Sequence, residues 1–266
     1  RLPALRMWRL RRRASAAAVL LHAASWAGLR PRRGPGLGPG HCEDLGLALS
    51  AQQRAQLSRP FRANETAAAR RALGLGSARK QRFAPLAVWL VGPSGSGKST
   101  IAQEAALGLG VQLLPGAPAL DAVVLDGDAF RASHGGYQAV VQDGHSRRCT
   151  WRDAYPALRP ALQLQKAALL RAAVRRRLNL VIPHTCQRRA DCWDVLGGLR
   201  RQGYVNHVVL VLGSREAIGR RGTLRARASG KRYAPQEWRA SVENGLGLVA
   251  RANGHAELVW TTPGAR

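Results

Sequence analysis

Lysine is almost missing from this chain. Only Lys80, Lys98, Lys166 and Lys231 stand among 42 basic residues, the rest being arginine. Acidic residues are few (15), and the formal net charge is +27. Such a charge ordinarily points to a polyanion partner. Here it accompanies a surplus of alanine, glycine and leucine, so biased composition explains it equally well. The charge is also dispersed, with 17 basic and 3 acidic residues over 1–83 and 25 against 12 in the remainder. Aromatic residues make up only 5%, too few for base-stacking platforms. Nucleic acid is therefore possible as a partner but not favoured. No C-x-x-C pair occurs among Cys42, Cys149, Cys186 and Cys192. Neither a zinc site nor a disulfide framework is expected, and the cysteines are read as free thiols. After residue 40 no apolar run is long enough to span a bilayer.

What is present falls into three parts. Residues 1–40 form a leader of low complexity ending in a Pro/Gly linker, PRRGPGLGPGH running into the next part. Its only methionine, Met7, precedes WRLRRR and a small-apolar stretch, and the first acidic residue is Glu43. Both a signal peptide, with Ser25-Trp26-Ala27 as cleavage zone, and an organelle transit peptide fit this pattern; without either, the chain is cytoplasmic. Residues 41–83 form a helical extension. They include the glycosylation sequon Asn64-Glu65-Thr66, which has meaning only in a secreted chain. Residues 84–266 alternate short apolar runs with helical stretches. Strands are expected at 86–91, 122–125, 178–182, 207–212 and 257–261, and helices at 99–109, 155–177, 190–202, 216–228 and 235–251. That alternation predicts an α/β fold of the P-loop NTPase/kinase type, three layers with a mostly parallel sheet and an arginine-bearing lid. Ligands in such sheets bind beyond the carboxyl ends of the strands.

The segment LAVWLVGPSGSGKST carries the strongest signal. Gly92, Gly97, Lys98 and Ser99 fill every fixed position of G-x-x-x-x-G-K-[ST], the Walker A pattern. Glycine allows backbone N–H groups to curl around an anion, and the following helix turns its positive end toward it. Gly92, Pro93, Ser94, Gly95, Ser96, Gly97, Lys98, Ser99 and Thr100 are thus assigned to a nucleoside triphosphate, ATP or GTP. Lys98 is directed to the β- and γ-phosphates and the Ser99 hydroxyl to Mg2+.

AVVLDGDAFR places Asp126 and Asp128 just past the second strand, where an acceptor hydroxyl would lie. Asp128 is the expected base, with Asp126 supporting the acceptor. Capping of a helix by Asp128 is the plainer alternative. Arg221 and Arg225, four apart on one helix, and Arg232 in SGKRYAP are candidates to clamp the transferring phosphoryl group.

With GPSGSGKST, LDGDAFRASHGGY, LNLVIPHTCQRRAD, LRRQGYVNHVVLVL and R-x-x-x-R followed by SGKRYAP in place, residues 84–262 resemble the zeta-toxin family of P-loop kinases. The resemblance implies transfer of a phosphoryl group to a UDP-activated amino sugar. It makes Lys98 the phosphate-loop lysine, Ser99 the magnesium ligand, Asp128 the base, Arg225 (or Arg221) and Arg232 the clamp, and Thr185 a substrate contact. The chain departs from the family after the third strand, where Glu-Gly-Thr-Gly-Arg becomes Pro183-His184-Thr185-Cys186-Gln187. A second family glutamate falls near Lys166 or Ala167. The expectation is therefore a kinase that phosphorylates a hydroxyl of a small metabolite, which the resemblance makes a UDP-activated amino sugar. The alternatives are another P-loop transferase, acting on a nucleoside or polynucleotide end, and a nucleotide-binding regulatory protein without turnover. The third strand ends in Pro183 and carries no catalytic glutamate, which disfavours an NTPase motor.

Overall fold

A computed structural model of the chain describes residues 40–109, 111, 121–229 and 233–261. Residues 1–39 of the leader therefore lie outside the described residues, as does Arg232. Five strands, β1 (Leu86–Val91), β2 (Val123–Val124), β3 (Leu180–His184), β4 (Val205–Leu212) and β5 (Ala256–Trp260), form one sheet in the order β2-β3-β1-β4-β5. Every pairing is parallel. β1 lies at the centre, with Trp89 level with Ile182 on one side and with Val208 on the other. Its sequence LAVWLV has no polar member because a parallel strand flanked by helices is buried on both faces. Side chains alternate across the sheet. Ala87, Trp89 and Val91 enter one core cluster, and Val88 and Leu90 enter the other.

Helices connect and cover the strands. They are α1 (Ala51–Ser58), α2 (Ala63–Ala72), α3 (Lys98–Gly108), α4 (Gly127–Ser133), α5 (Gly135–Ser146), α6 (Ala154–Arg175), α7 (Arg189–Arg201), α8 (Arg215–Ser229) and α9 (Glu237–Val249). The expected strands and helices are all found, with ends displaced by a few residues. Helices α4 and α5 were not expected. Their sequence, GDAFRASHGGYQAVVQDGHS, is interrupted by glycines, which weaken a helical signal. The glycines serve packing. A Cβ on Gly136 would sit 2.4 Å from the Gln56 carbonyl oxygen, so α1 lies against α5 at a distance only glycine permits.

The extension is built into the same core as the sheet. Leu57, Phe61, Ala69 and Leu73 are buried alongside Phe130, Leu158 and Leu162. Ser50 caps α1 through a reciprocal box with Gln53. Glu65 in the first turn of α2 accepts from Arg59 (2.5 and 2.8 Å), from the Arg62 N–H (2.8 Å) and from the Gly135 N–H (2.8 Å), tying α2 to the start of α5.

The cysteines correct the sequence reading. Cys42 is bonded to Cys149 and Cys186 to Cys192, leaving no free thiol. The first bridge spans 107 residues and reinforces a contact in which the Cys42 N–H donates to the Thr150 carbonyl (3.1 Å) and the Thr150 N–H to that of Gly40 (3.0 Å). The pattern was missed because sequence spacing does not reveal a pair so far apart, and C-x5-C has no recognised signature. Among the described residues, no helix is long and apolar enough to cross a membrane.

Candidate active site

The site is built at the carboxyl ends of β1, β2 and β3. Leaving β1, the chain turns at Gly92 and runs through the phosphate loop into α3, whose N-cap is Gly97. Gly92 has φ +149°, and a Cβ there would lie 2.1 Å from the Val211 carbonyl oxygen. Gly95 has φ +87°, and its Cβ would lie 2.8 Å from the Ile218 carbonyl oxygen and 3.0 Å from the Gly222 nitrogen. The loop is therefore pressed against β4 on one side and against α8 on the other. The Lys98 ammonium donates to the carbonyls of Gly92 and Pro93, both at 2.7 Å, so it folds back over the loop. Ser99 and Thr100 stand exposed in the first turn of α3. The buried Ser96 hydroxyl has no hydrogen-bond partner. A curled glycine backbone, a helix start and an ammonium drawn across it form a cradle that fits polyphosphate.

Asp126 and Asp128 follow β2 as expected, but their duties are divided otherwise than the plainer alternative supposes. Asp126 caps α4, its carboxylate accepting the Asp128 N–H at 3.1 Å. The Asp128 side chain is left to face the site, 39% exposed. It accepts from Arg131 at 2.5 Å and from Arg225 at 2.6 Å. Arg131 is buried, with its guanidinium 5.5 Å over the Tyr155 ring. Arg225 comes from α8, the helix seated on Gly95. One turn earlier, Arg221 donates to the Thr261 hydroxyl at 3.2 Å, which itself lies 3.0 Å from the Ser96 carbonyl. The two arginines on one helical face thus go to different places, Arg225 to the Asp128 carboxylate and Arg221 to the flank of the phosphate loop.

Thr185 sits partly buried in the turn after β3. That turn is held from several directions. Cys186, at φ +51°, is bridged to Cys192 on α7, and its N–H donates to His184 Nδ1 at 2.9 Å. Asn244 on α9 donates to the carbonyls of Cys186 (2.8 Å) and Gln187 (3.2 Å), and Gln187 bonds Glu237. His184, Cys186 and Cys192 are close enough to hold a metal ion, but both sulfurs are taken up by the disulfide. Burial holds the His184 imidazole at about 4, helped by the charges of Lys166 and Lys98, so it is neutral at physiological pH. Burial pulls the Lys166 ammonium below its usual range, against the opposing pull of Asp126 and Asp128. Sequence reasoning assigned Lys166 and Arg131 no role in this site. No motif distinguishes Arg131 among so many arginines. Lys166 had two clues, its rarity and its place near the position of a family glutamate.

A family model described as AAA domain (AAA_33) matches residues 88–243. No curated protein matches the chain. Among solved structures, the chain is similar to one from the PezAT chromosomal toxin–antitoxin system of Streptococcus pneumoniae. The identity is 21% and the TM-score 0.48, over 64% of this chain and 65% of that one. It is also similar to a candidate kinase from Chloroflexus aurantiacus, at 16% identity and a TM-score of 0.40, over 67% of this chain and 89% of that one. The chain thus spans just under two thirds of the PezAT protein's length. With more than half its length matched by the family model, and a phosphate loop standing where that match begins, the chain belongs to the AAA_33 family of P-loop domains.

Proposed function

We propose that this protein is a kinase that transfers the γ-phosphoryl group of ATP or GTP to a hydroxyl of a small metabolite. The observation that carries the reading is the meeting of three parts. The phosphate loop ends in Lys98, Asp128 faces the site from α4, and α8 rests on Gly95 and reaches Asp128 through Arg225.

The chemistry follows from these positions. Lys98 and the loop amides hold the β- and γ-phosphates. Asp128 accepts the proton of the acceptor hydroxyl as its oxygen bonds the γ-phosphorus and the bond from that phosphorus to the bridging oxygen breaks, releasing the nucleoside diphosphate. Ser99 would hold Mg2+, which would supply positive charge to offset that on the leaving phosphates. Arg225 has a second task. Donating to Asp128 in this structure, it stands beside the path of the phosphoryl group, where a guanidinium stabilises the spreading negative charge. The acceptor lies against the β3 turn, where Thr185 and His184 supply polar contacts. The family resemblance points to a UDP-activated amino sugar, and the altered sequence of this turn counts against that acceptor.

The test is phosphoryl transfer from labelled ATP and GTP, with magnesium, to a panel running from UDP-sugars through nucleosides to a 5′-hydroxyl oligonucleotide. Labelled acceptor formed by the native chain and lost in both Lys98→Ala and Asp128→Asn supports the proposal. Tight nucleotide binding with no transfer to any acceptor counts against it and favours a regulatory nucleotide-binding role.

A further inference from the structure

Two observations point to the compartment in which the chain matures. The first is that all four cysteines are paired. The Cys42–Cys149 bridge ties the extension to the α5–α6 connection, and the Cys186–Cys192 bridge fixes the turn after β3. Forming each bond removes two electrons and two protons from a pair of thiols. A thiol–disulfide oxidoreductase of an oxidising compartment accepts them, whereas a reducing cytosol holds most cysteines as thiols.

The second observation is the position of the sequon. The chain has five asparagines, and Asn64 alone is followed at the second position by serine or threonine. Asn179 and Asn206 are buried and bonded to the sheet, Asn179 to the Leu86 N–H and Asn206 to the Trp89 indole. Asn64 is exposed in the first turn of α2. Its neighbour Glu65 faces inward to Arg59 and Gly135, and Ala69 and Leu73, four and eight residues on, are buried with it. A helix with Glu65, Ala69 and Leu73 inward carries Asn64 on a different stripe, with Ala67, Ala68 and the exposed Arg71 three, four and seven residues on. Ala67 and Ala68 are half-buried, but Asn64 itself is exposed at the start of the helix, so a bulky group on its amide can project into solvent.

We infer that Asn64 carries an N-linked oligosaccharide and that the chain folds in the lumen of a secretory pathway. In this step the Asn64 amide nitrogen bonds to the anomeric carbon of an oligosaccharide carried on a polyprenyl diphosphate. The bond from that carbon to the diphosphate oxygen breaks, the diphosphate leaves with its lipid, and the amide gives up one proton. Transfer acts on the unfolded chain, so the helical setting of the folded sequon is no obstacle. The inference does not rest on the kinase reading.

The full chain, made in a eukaryotic cell with a secretory pathway, tests it. Amidase release of N-glycans in heavy-oxygen water leaves a labelled aspartate at position 64, and the four cysteines resist alkylation until reduced. Asn64→Gln and Thr66→Ala each abolish the accompanying gel shift, while Thr66→Ser keeps it, which separates loss of the modification from loss of the fold. Recovery of the chain with an unmodified Asn64 overturns the inference, whether or not the chain has entered the lumen.

Discussion

Asp128 is the residue on which the site turns. Two guanidiniums hold its carboxylate, Arg131 from the same helix and Arg225 from across the cleft. Only the second can exchange a carboxylate for a phosphate without unpacking, because Arg131 is buried. Arg225→Ala is expected to lower kcat by roughly 100- to 1,000-fold, the usual cost of losing a transition-state donor, with a smaller effect on nucleotide KM. Steady-state kinetics with the acceptor found above would measure both. Arg131→Ala should instead reduce thermal stability, since it leaves Asp128 short of a partner and removes a buried side chain.

Glu65 offers a prediction of another kind. The Arg59 hydrogen bond, with help from the Arg62 and Gly135 amides, lowers its carboxyl to about 2. A carboxyl depressed in the folded state stabilises the fold above its unfolded value of 4.5, and that contribution is lost as pH falls from there toward about 2. Its full size is roughly 3 kcal/mol. Glu65→Gln is therefore expected to be less stable than the native chain at pH 7. The gap in urea midpoint should narrow as pH falls below 4.5.

At this scale the sequence was readable where a motif dictates residue type. Lys98, Ser99 and Asp128 stand where the pattern placed them. Lys166 was not readable, because contact through the fold brings it to the site; Arg131 lies one helical turn from Asp128, but the short helix that gives that spacing its meaning was not legible.

The phosphate loop and α8 work as one unit among the elements. Gly95 is the point of contact, with a positive φ and no space for a Cβ against Ile218 and Gly222. Gly95→Val should strain the loop and lift α8, taking Arg221 and Arg225 with it. Nucleotide affinity and turnover should then fall together, measured by calorimetry and by transfer assay. A comparable contact lies in the packing of the extension, where Gly136 lets α1 meet α5. Gly136→Val should cost about 1–3 kcal/mol through overpacking, visible as a lower melting temperature. Nucleotide binding by the folded fraction should be unchanged.

The strands and long helices were legible because continuous apolar runs and period-3.6 stripes are strong signals. Helices α4 and α5 were not, because the glycines that let them pack closely also dilute the pattern by which helices are found.

Considered whole, the molecule is a sheet enclosed by helices and sewn to its own N-terminal extension. Closing a loop of this length by a disulfide restricts the unfolded chain by about 4–5 kcal/mol on the chain-entropy account. Replacing Cys42 and Cys149 together by alanine should lower the urea midpoint with little change in acceptor preference. Replacing Cys186 and Cys192 should do the reverse, since that short bridge sits at the β3 turn and closes few residues. Nothing in the sequence distinguished the two pairs, or showed that there were pairs at all.

The longer bridge has a consequence for the chain as a covalent object. Everything from β1 to α5, including the phosphate loop and Asp128, lies within one closed ring. A protease that cuts the ring once, at the exposed Arg82 for example, opens it without dividing the molecule. The nicked protein would keep its full mass on a non-reducing gel and separate into two fragments only after a thiol is added. A limited digest run with and without reductant would therefore report the connectivity of the fold directly.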